Sequence, residues 1–70
     1  MTYEQRLTDA GHEIDNLYYT REKTIEDTIH GDVRGHFAGS EYFFYSDGQE
    51  VFRSKDQRLT IQWLAYAKNI

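Results

Sequence analysis

The first third of the chain shows apolar residues at helical spacing. Drawn on a helix at 100° per residue, they fall within a stripe about 80° wide, which is a narrow amphipathic face. These residues are Tyr3, Leu7, Ala10, Ile14 and Leu17. Thr2 and Gln5 stand before the stripe at capping-box spacing. The pattern therefore predicts a helix from about Tyr3 to Asp15.

The helical pattern weakens after Leu17. A continued stripe would run through Arg21, Thr24 and Thr28, which are poor core residues. Leu17-Tyr-Tyr-Thr is aromatic and β-branched, and the segment 23–29 is rich in threonine and isoleucine, both typical of strands. These features favour a strand or a pair of strands between Asn16 and His30, with a longer helix as the competing interpretation.

Three glycines follow at intervals of four residues, at positions 31, 35 and 39. They predict a turn at residues 30–32 and a short strand from Val33 to Ala38, in which glycine marks a bulge or a close backbone approach. The spacing lacks the Gly-Lys-Ser/Thr of a phosphate loop and the G-x-G-x-x-G of a dinucleotide fold. Turn and bulge glycines therefore explain it better than a phosphate site.

Asp47-Gly48 is the strongest local signal in the chain, because a two-residue hairpin turn favours this dipeptide. The flanking segments predict two paired strands between Glu41 and Ser54. Regular pairing away from the turn places Tyr42, Phe44, Val51 and Arg53 on one face, and Phe43, Tyr45, Glu50 and Phe52 on the other. Both faces are aromatic, so the rest of the chain must cover at least one of them.

Ser54 and Gln57 form a second capping-box pattern and predict a last helix from about Lys55 to Asn69. Its main apolar face comprises Leu59, Trp63, Tyr66, Ala67 and Ile70, with Leu64 at the margin. Ile61 and Ala65 project to the opposite side. They should contact another element or a second copy of the chain.

Together these elements predict an α+β fold: a small antiparallel sheet of three to four strands, with an N-terminal and a C-terminal helix packed on one face. A chain of 70 residues is expected to form a single domain, residues 1–70. It has no cysteine, no long apolar run and no signal-peptide pattern at its start, so we expect a soluble, cytoplasmic protein.

Candidate catalytic chemistry is sparse. His12, His30 and His36 match no standard zinc spacing, and the serines occupy turn or cap positions. The many carboxylates stand among polar residues, which favours a solvated acidic face over general acid–base catalysis. We expect no enzymatic activity, no cofactor and no metal.

Charge is unevenly distributed along the chain. Residues 3–32 contain eight acidic and three basic side chains, whereas residues 33–70 contain four acidic and five basic ones. An acidic first half attracts a basic partner and repels a phosphate backbone. The predicted partner-binding residues combine these charges with two aromatic anchors: Asp9, Glu13, Tyr18, Tyr19, Glu22, Glu26, Asp27 and Asp32.

The order of elements, with Ser54-Lys55 opening the last helix, resembles the double-stranded RNA-binding domain. In that family a lysine cluster at this helix start contacts phosphates. Lys55 and Arg58 match in type, whereas Asp56 stands where a further lysine is expected. The resemblance implies an alternative function, nucleic-acid binding, through Lys55, Arg58, Arg34 and Arg53.

A second resemblance rests on small size, acidity, absence of cysteine, an aromatic strand with an Asp-Gly hairpin, and a last helix bearing Trp63. In these respects the chain looks like small inhibitors from phages and mobile elements, anti-CRISPR proteins among them. This implies a non-enzymatic inhibitor that blocks a basic, nucleic-acid-binding surface of a larger partner in the host cytoplasm. That group shares no motif, so no residue role is carried over. A third hypothesis is a homo-oligomeric regulatory protein that uses Ile61 and Ala65 as its seam.

Overall fold

The computed structural model describes residues 2–69. The elements in chain order are α1 (Tyr3–Thr20), β1 (Glu22–Thr28), β2 (Gly31–Ala38), β3 (Glu41–Ser46), β4 (Gln49–Ser54) and α2 (Gln57–Ala67). The strands form one antiparallel sheet in the order β1-β2-β3-β4. Both helices contribute to the core that covers one face of this sheet. The predicted α+β class is confirmed.

Helix α1 is longer than the sequence pattern predicted. The Thr2 hydroxyl accepts a hydrogen bond from the Gln5 backbone N–H at 3.1 Å, which confirms the capping box. The helix ends at Thr20, where Arg21 takes a left-handed conformation and donates its backbone N–H to the Leu17 carbonyl at 2.8 Å. The prediction of a strand at 17–20 is wrong. Leu17 is fully buried beneath the helix, and this tertiary burial outweighs local β propensity.

Strand β1 lies in the second half of the segment 16–30, where a strand was predicted. Strand β2 lies in the segment that contains the three spaced glycines, where a short strand was also predicted. Their pairing is regular from Glu22 opposite His36 to Ile25 opposite Val33, and then shifts before Thr28. Asp27 lies in this shift with a φ of 57°. Beyond it, Thr28 forms a β-bridge with Lys68, so the residues after α2 return to the end of β1.

The hairpin turn at Asp47-Gly48 is confirmed, with φ angles of 50° and 79°. Pairing begins as predicted but shifts after Tyr45, so that Phe44 lies opposite Phe52 instead of Val51. This bulge inserts one residue into β4 and reverses its alternation. Val51 still packs against the core on the side of Phe44, as predicted. The predicted faces of Phe52 and Arg53 are wrong: Phe52 stacks on Trp63 in the core at 4.7 Å, and Arg53 lies on the other side.

Helix α2 is capped by Asp56 instead of Ser54, because the Asp56 carboxylate accepts the backbone N–H groups of Arg58 and Leu59 at 2.9 and 3.2 Å. Its buried face also differs from the prediction. The fully buried residues are Thr60, Leu64, Ala65 and Ala67. Small side chains on this face let α2 approach its neighbours closely, whereas Leu59 and Tyr66 remain 52% and 65% exposed. Ile70 lies outside the described residues.

This orientation of α2 corrects the predicted dimer seam. Ala65 is fully buried in the protein's own core, and Ile61 packs against that core. A second copy cannot reach Ala65 without unfolding the helix packing. The pair Ile61 and Ala65 is therefore not a seam between copies.

Candidate partner-binding surface

The sheet face opposite the helices, called here the open sheet face, carries the side chains of Arg34, His36, Phe43, Tyr45 and Arg53. Strand alternation in β2 and β3 sends Val33, Phe37, Tyr42 and Phe44 into the core and leaves these residues on the other side. The register sets Arg34 opposite Tyr45, His36 opposite Phe43, and Phe43 opposite Arg53. Among residues 2–69, no helix covers this face.

Arg53 and Glu50 form one internal pair on the open sheet face. The Arg53 guanidinium donates two hydrogen bonds to Glu50 Oε1, at 3.0 and 2.8 Å, and lies 4.9 Å from the centre of the Phe43 ring. The hydrogen bond and the negative charge of Glu50 raise the pKa of Arg53. The bulge in β4 is what brings Arg53 above Phe43, so the sequence pattern alone did not place it here.

Glu22 organises the other side of the same face. Its carboxylate lies 2.6 Å from the Arg34 guanidinium and 3.8 Å from His36 Nδ1. The His36 ring in turn meets the edge of Tyr45, with ring centroids 5.8 Å apart. The charges across the middle of the open sheet face are thus compensated within the face, and its aromatic rings lie between them.

One end of the sheet differs, because its acidic side chains are not compensated. Two of the three hairpin turns, 29–30 and 47–48, lie at this end, and the Ser46 hydroxyl donates to the His30 carbonyl between them. Asp32 and Asp47 line a depression of about 630 Å³ together with Tyr45 and His36. Glu26 directly follows Ile25, the partner of Val33, so it lies at this end too. Within residues 2–69, none of these three carboxylates forms an ion pair. We call Glu26, Asp32 and Asp47 the acidic end.

The structure gives three of the predicted acids other surroundings. Glu13 pairs with Lys68 at 2.6 Å, and the two side chains are only 17% and 20% exposed, so this contact joins α1 to the end of the chain. Asp27 lies in the bulge of β1, and its carbonyl accepts the Asn69 backbone N–H. Asp9 lies in the first half of α1, in a shallow depression with Glu4. Asp27 directly follows Glu26 in the chain, whereas Asp9 and Glu13 belong to α1 and not to the sheet.

Tyr18 and Tyr19 lie at the C-terminal end of α1 and are 46% and 81% exposed. The Tyr18 ring packs against Phe37 with centroids 5.0 Å apart. They stand near the start of β1, whereas Glu26 stands four residues further along it, about 13 Å away in a strand. The eight predicted residues therefore do not form one site. Glu26 and Asp32 come together, and the tyrosines belong to another part of the surface.

Sequence reasoning placed Phe43 and Tyr45 on one face but missed Asp47 and the residues that β2 contributes to the open sheet face. Asp47 had been assigned only a turn role, yet it lines the same depression as Asp32. The alternation of buried and exposed residues in β2 could have identified Arg34 and His36 as one face. Arg53 could not have been found this way, because no local signal indicated the bulge.

The basic residues of the alternative function do not gather on one surface. Arg34 and Arg53 lie on the open sheet face with Glu22 and Glu50 as partners. Arg58 lies in the first turn of α2, and Lys55 precedes its cap. For residues 2–69 the structure shows no cluster of three or more metal-ligating side chains.

In the described part of the chain, neither helix is long and apolar enough to cross a membrane. The function has to be argued from the residues of this chain, because no family model, curated protein or solved structure matches it.

Proposed function

We propose that this protein is a non-enzymatic binding protein that blocks a basic, nucleic-acid-binding surface of a larger protein. This is the manner of action of the small phage inhibitors it resembles. The contact surface is the acidic end, Glu26, Asp32 and Asp47, together with the adjoining open sheet face. The observation that carries the proposal is the depression where two uncompensated carboxylates adjoin an aromatic ring.

Electrostatics favours a basic partner at this place. The chain has a net charge of −4, and the carboxylates of the acidic end lack an internal cation among residues 2–69. Complementary charge accelerates association and disfavours wrong partners. Salt weakens this effect because it screens exposed charges, over a Debye length of about 8 Å at physiological ionic strength. An acidic surface can thus compete with a phosphate backbone for the same basic site.

The depression suits an arginine or lysine side chain of the partner. Asp32 and Asp47 can accept hydrogen bonds from a guanidinium, and charge-assisted bonds of this kind are stronger than neutral ones. Tyr45 adds an aromatic ring beside them, which favours a cation near its face. Arg34 and His36 line the same depression but are held by Glu22. They therefore do not neutralise Asp32 and Asp47.

The test uses the double variant Asp32→Asn/Asp47→Asn. Asn-Gly suits the same hairpin turn as Asp-Gly, so the fold should be retained. The matched control is Glu4→Gln/Asp9→Asn, which removes the same charge from two acidic residues of α1 that do not line the depression. A partner is isolated by affinity capture from host lysate and identified, and its binding to each variant is then measured across a salt series.

We expect the Asp32→Asn/Asp47→Asn variant to bind at least 10-fold more weakly than wild type, which corresponds to about 1.4 kcal/mol. Its affinity should also depend less steeply on salt. The control should bind within about 3-fold of wild type, since exposed charges outside the contact contribute little. Equal losses in both variants would show that only net charge matters and would refute the proposed surface.

The nucleic-acid-binding alternative makes the opposite prediction in a parallel assay. It requires retention of double-stranded RNA at low salt, with a salt slope that falls when Lys55 is neutralised. Removing carboxylates should then strengthen binding instead of weakening it. The structure offers this alternative less support, because Arg34 and Arg53 are paired with carboxylates and Asp56 is committed to the cap of α2.

A further inference from the structure

Arg34 occupies the middle of the open sheet face, where β1, β2 and β3 lie side by side. It pairs with Thr24 of β1 and with Tyr45 of β3. Its guanidinium points toward one end of the face, where it lies 2.6 Å from the Glu22 carboxylate. The acidic end lies on the other side of Arg34. This cation therefore stands between two groups of carboxylates and pairs with only one of them.

Asp32 also lies within reach of the Arg34 side chain. The two residues are two positions apart on β2, about 6.6 Å along a strand, and the alternation of buried and exposed residues puts both on the open sheet face. Glu22 pairs with His36, so it is a diagonal neighbour of Arg34, and such neighbours are about 7–8 Å apart and within reach of long side chains. Asp32 is thus no further away than Glu22. Asp32 and Arg34 also line the same depression, whereas Glu22 does not.

The contact between Arg34 and Glu22 is exposed and can be exchanged for another. The two side chains are 63% and 47% exposed, and within residues 2–69 Glu22 is the acid that pairs with Arg34. Exposed ion pairs contribute little to stability because water screens both charges. A cation held this weakly turns to a second carboxylate when the first is removed. The charge of Glu22 therefore decides whether the Arg34 guanidinium lies outside the acidic end or within it.

We propose that Glu22 is a positioning residue for the acidic end: by pairing with Arg34, it keeps this cation from pairing with Asp32 and neutralising the depression. The role rests on the proposed function of the acidic end. A contact residue acts on the partner by itself, whereas Glu22 acts through Arg34. When position 22 carries no charge, Arg34 turns to Asp32, and the depression attracts a basic side chain of the partner less strongly.

The first experiment needs no partner. Nuclear magnetic resonance follows the Nε–H signal of Arg34 when Asp32→Asn is introduced into wild type and into Glu22→Gln. In wild type Arg34 is paired with Glu22, so Asp32→Asn should move the signal little. In Glu22→Gln the same change should move it several times further, because it removes the new partner of Arg34. A signal that moves equally in both backgrounds, or in neither, would overturn the proposal.

Glu50→Gln is the matched control, because it breaks the other arginine–glutamate pair of the open sheet face. Its partner Arg53 is 50% exposed, and the charge of Glu41 also acts on Arg53. Glu41 does not line the depression, so an Arg53 that turns to it stays away from the acidic end. In the Glu50→Gln background, Asp32→Asn should therefore move the Arg34 signal no more than in wild type. A larger movement would show that the loss of any carboxylate on this face redirects Arg34, which contradicts a specific role of Glu22.

Binding of the isolated partner gives the second test, as a double-mutant cycle of Glu22→Gln and Arg34→Gln. Arg34→Gln should strengthen binding by about 3- to 5-fold in the Glu22→Gln background, where it frees Asp32, and by no more than about 2-fold in wild type. The cycle of Glu4→Gln and Arg34→Gln removes the same charges and should show equal factors in its two backgrounds. Equal factors in both cycles would mean that only net charge matters and would refute the positioning role.

The two proposals fail separately. If the Arg34 signal responds as expected but Asp32→Asn/Asp47→Asn binds the partner as tightly as wild type, the acidic end is not the contact surface. The exchange of Arg34 between two carboxylates would then stand without the function. If that variant loses partner binding but the Arg34 signal never responds to Asp32→Asn, only the role of Glu22 is refuted.

Discussion

Gly35 is the position at which a single methyl group should test the packing of α1 on the sheet. It lies in β2 between regular partners, Lys23 on one side and Phe44 on the other, and it is buried. A Cβ added here would lie 3.0 Å from Leu17 Cδ2 and 3.0 Å from Phe44 Cε1. Glycine at this position therefore allows Leu17 and Phe44 to approach the backbone of β2 closely, and it does not form a turn.

The expected cost follows from these two distances. Carbon atoms in ordinary contact are about 3.5–4.0 Å apart, so each neighbour would have to retreat by a few tenths of an ångström. Leu17 and Phe44 are both fully buried and have little room to move. Overpacking of this kind costs about 1–3 kcal/mol, and relief of the backbone entropy of glycine returns about 0.5–1 kcal/mol. Gly35→Ala should therefore lower the free energy of unfolding by about 1 kcal/mol, and by no more than about 2.5 kcal/mol.

The measurement is urea and thermal unfolding of Gly35→Ala against wild type. A loss of about 1 kcal/mol corresponds to a fall in Tm of about 4–8 °C in a chain of this size. Gly11→Ala is the matched control with the opposite expected sign. No atom of residues 2–69 outside its local helix lies within 4 Å of a Cβ added at Gly11, so alanine should stabilise α1 by up to about 1 kcal/mol.

A second mutation assigns the cost to the contact with α1. In a Leu17→Val background the Cδ2 methyl is gone, so Gly35→Ala should cost less than it does in wild type. If Gly35→Ala proves as stable as wild type, or more stable, the close packing of α1 on β2 at this point is wrong. If the cost is unchanged in the Leu17→Val background, the strain comes from Phe44 alone.

Two further predictions concern the cap of α2 and alkaline stability. Asp56→Ala should lower stability by about 1 kcal/mol, because the carboxylate accepts two backbone N–H groups at the start of α2. Ser54→Ala should cost less, since its hydroxyl accepts only the Asp56 N–H at 3.0 Å, and the reverse ranking in urea unfolding would restore Ser54 as the cap. Burial raises the pKa of Tyr42 above its usual 10.0, and the charges of Asp15 and Tyr18 raise it further. As the pH rises, Tyr42 therefore ionises in the unfolded chain before it ionises in the folded protein. The free energy of unfolding should fall as the pH rises above about 10. Tyr42→Phe should reduce that fall in unfolding experiments between pH 8 and pH 11, and an unchanged pH dependence would show that another group causes it.

Several elements of the fold were predictable because their causes lie within a few residues of one another. The stripe of Tyr3 to Leu17 and the cap at Thr2 specify the start of α1, and the structure shows both. Asp47-Gly48 specifies the hairpin turn through the positive φ angles that the turn needs. Two helices around a short antiparallel sheet follow from these local patterns and from the need to cover an aromatic ribbon.

The candidate site was predictable only in part. The charge asymmetry indicated Glu26 and Asp32, and the structure places both at one end of the sheet. The same asymmetry also suggested Glu13, which instead pairs with Lys68 from the end of the chain. A charge count cannot distinguish a free carboxylate from a paired one, because the pairing depends on residues far apart in sequence.

The sequence by itself therefore determined the kinds of element, the start of α1 and the position of the hairpin turn. Only the tertiary structure decided which face of α2 is buried, because Ala65 and Ala67 allow the close approach that Leu59 and Tyr66 would prevent. It also determined that β4 has a bulge at Val51, which turns Phe52 toward Trp63. In the same way it determined that Asp47 and Asp32 line one depression. Each of these outcomes depends on packing between segments distant along the chain, and local propensity carries no information about that packing.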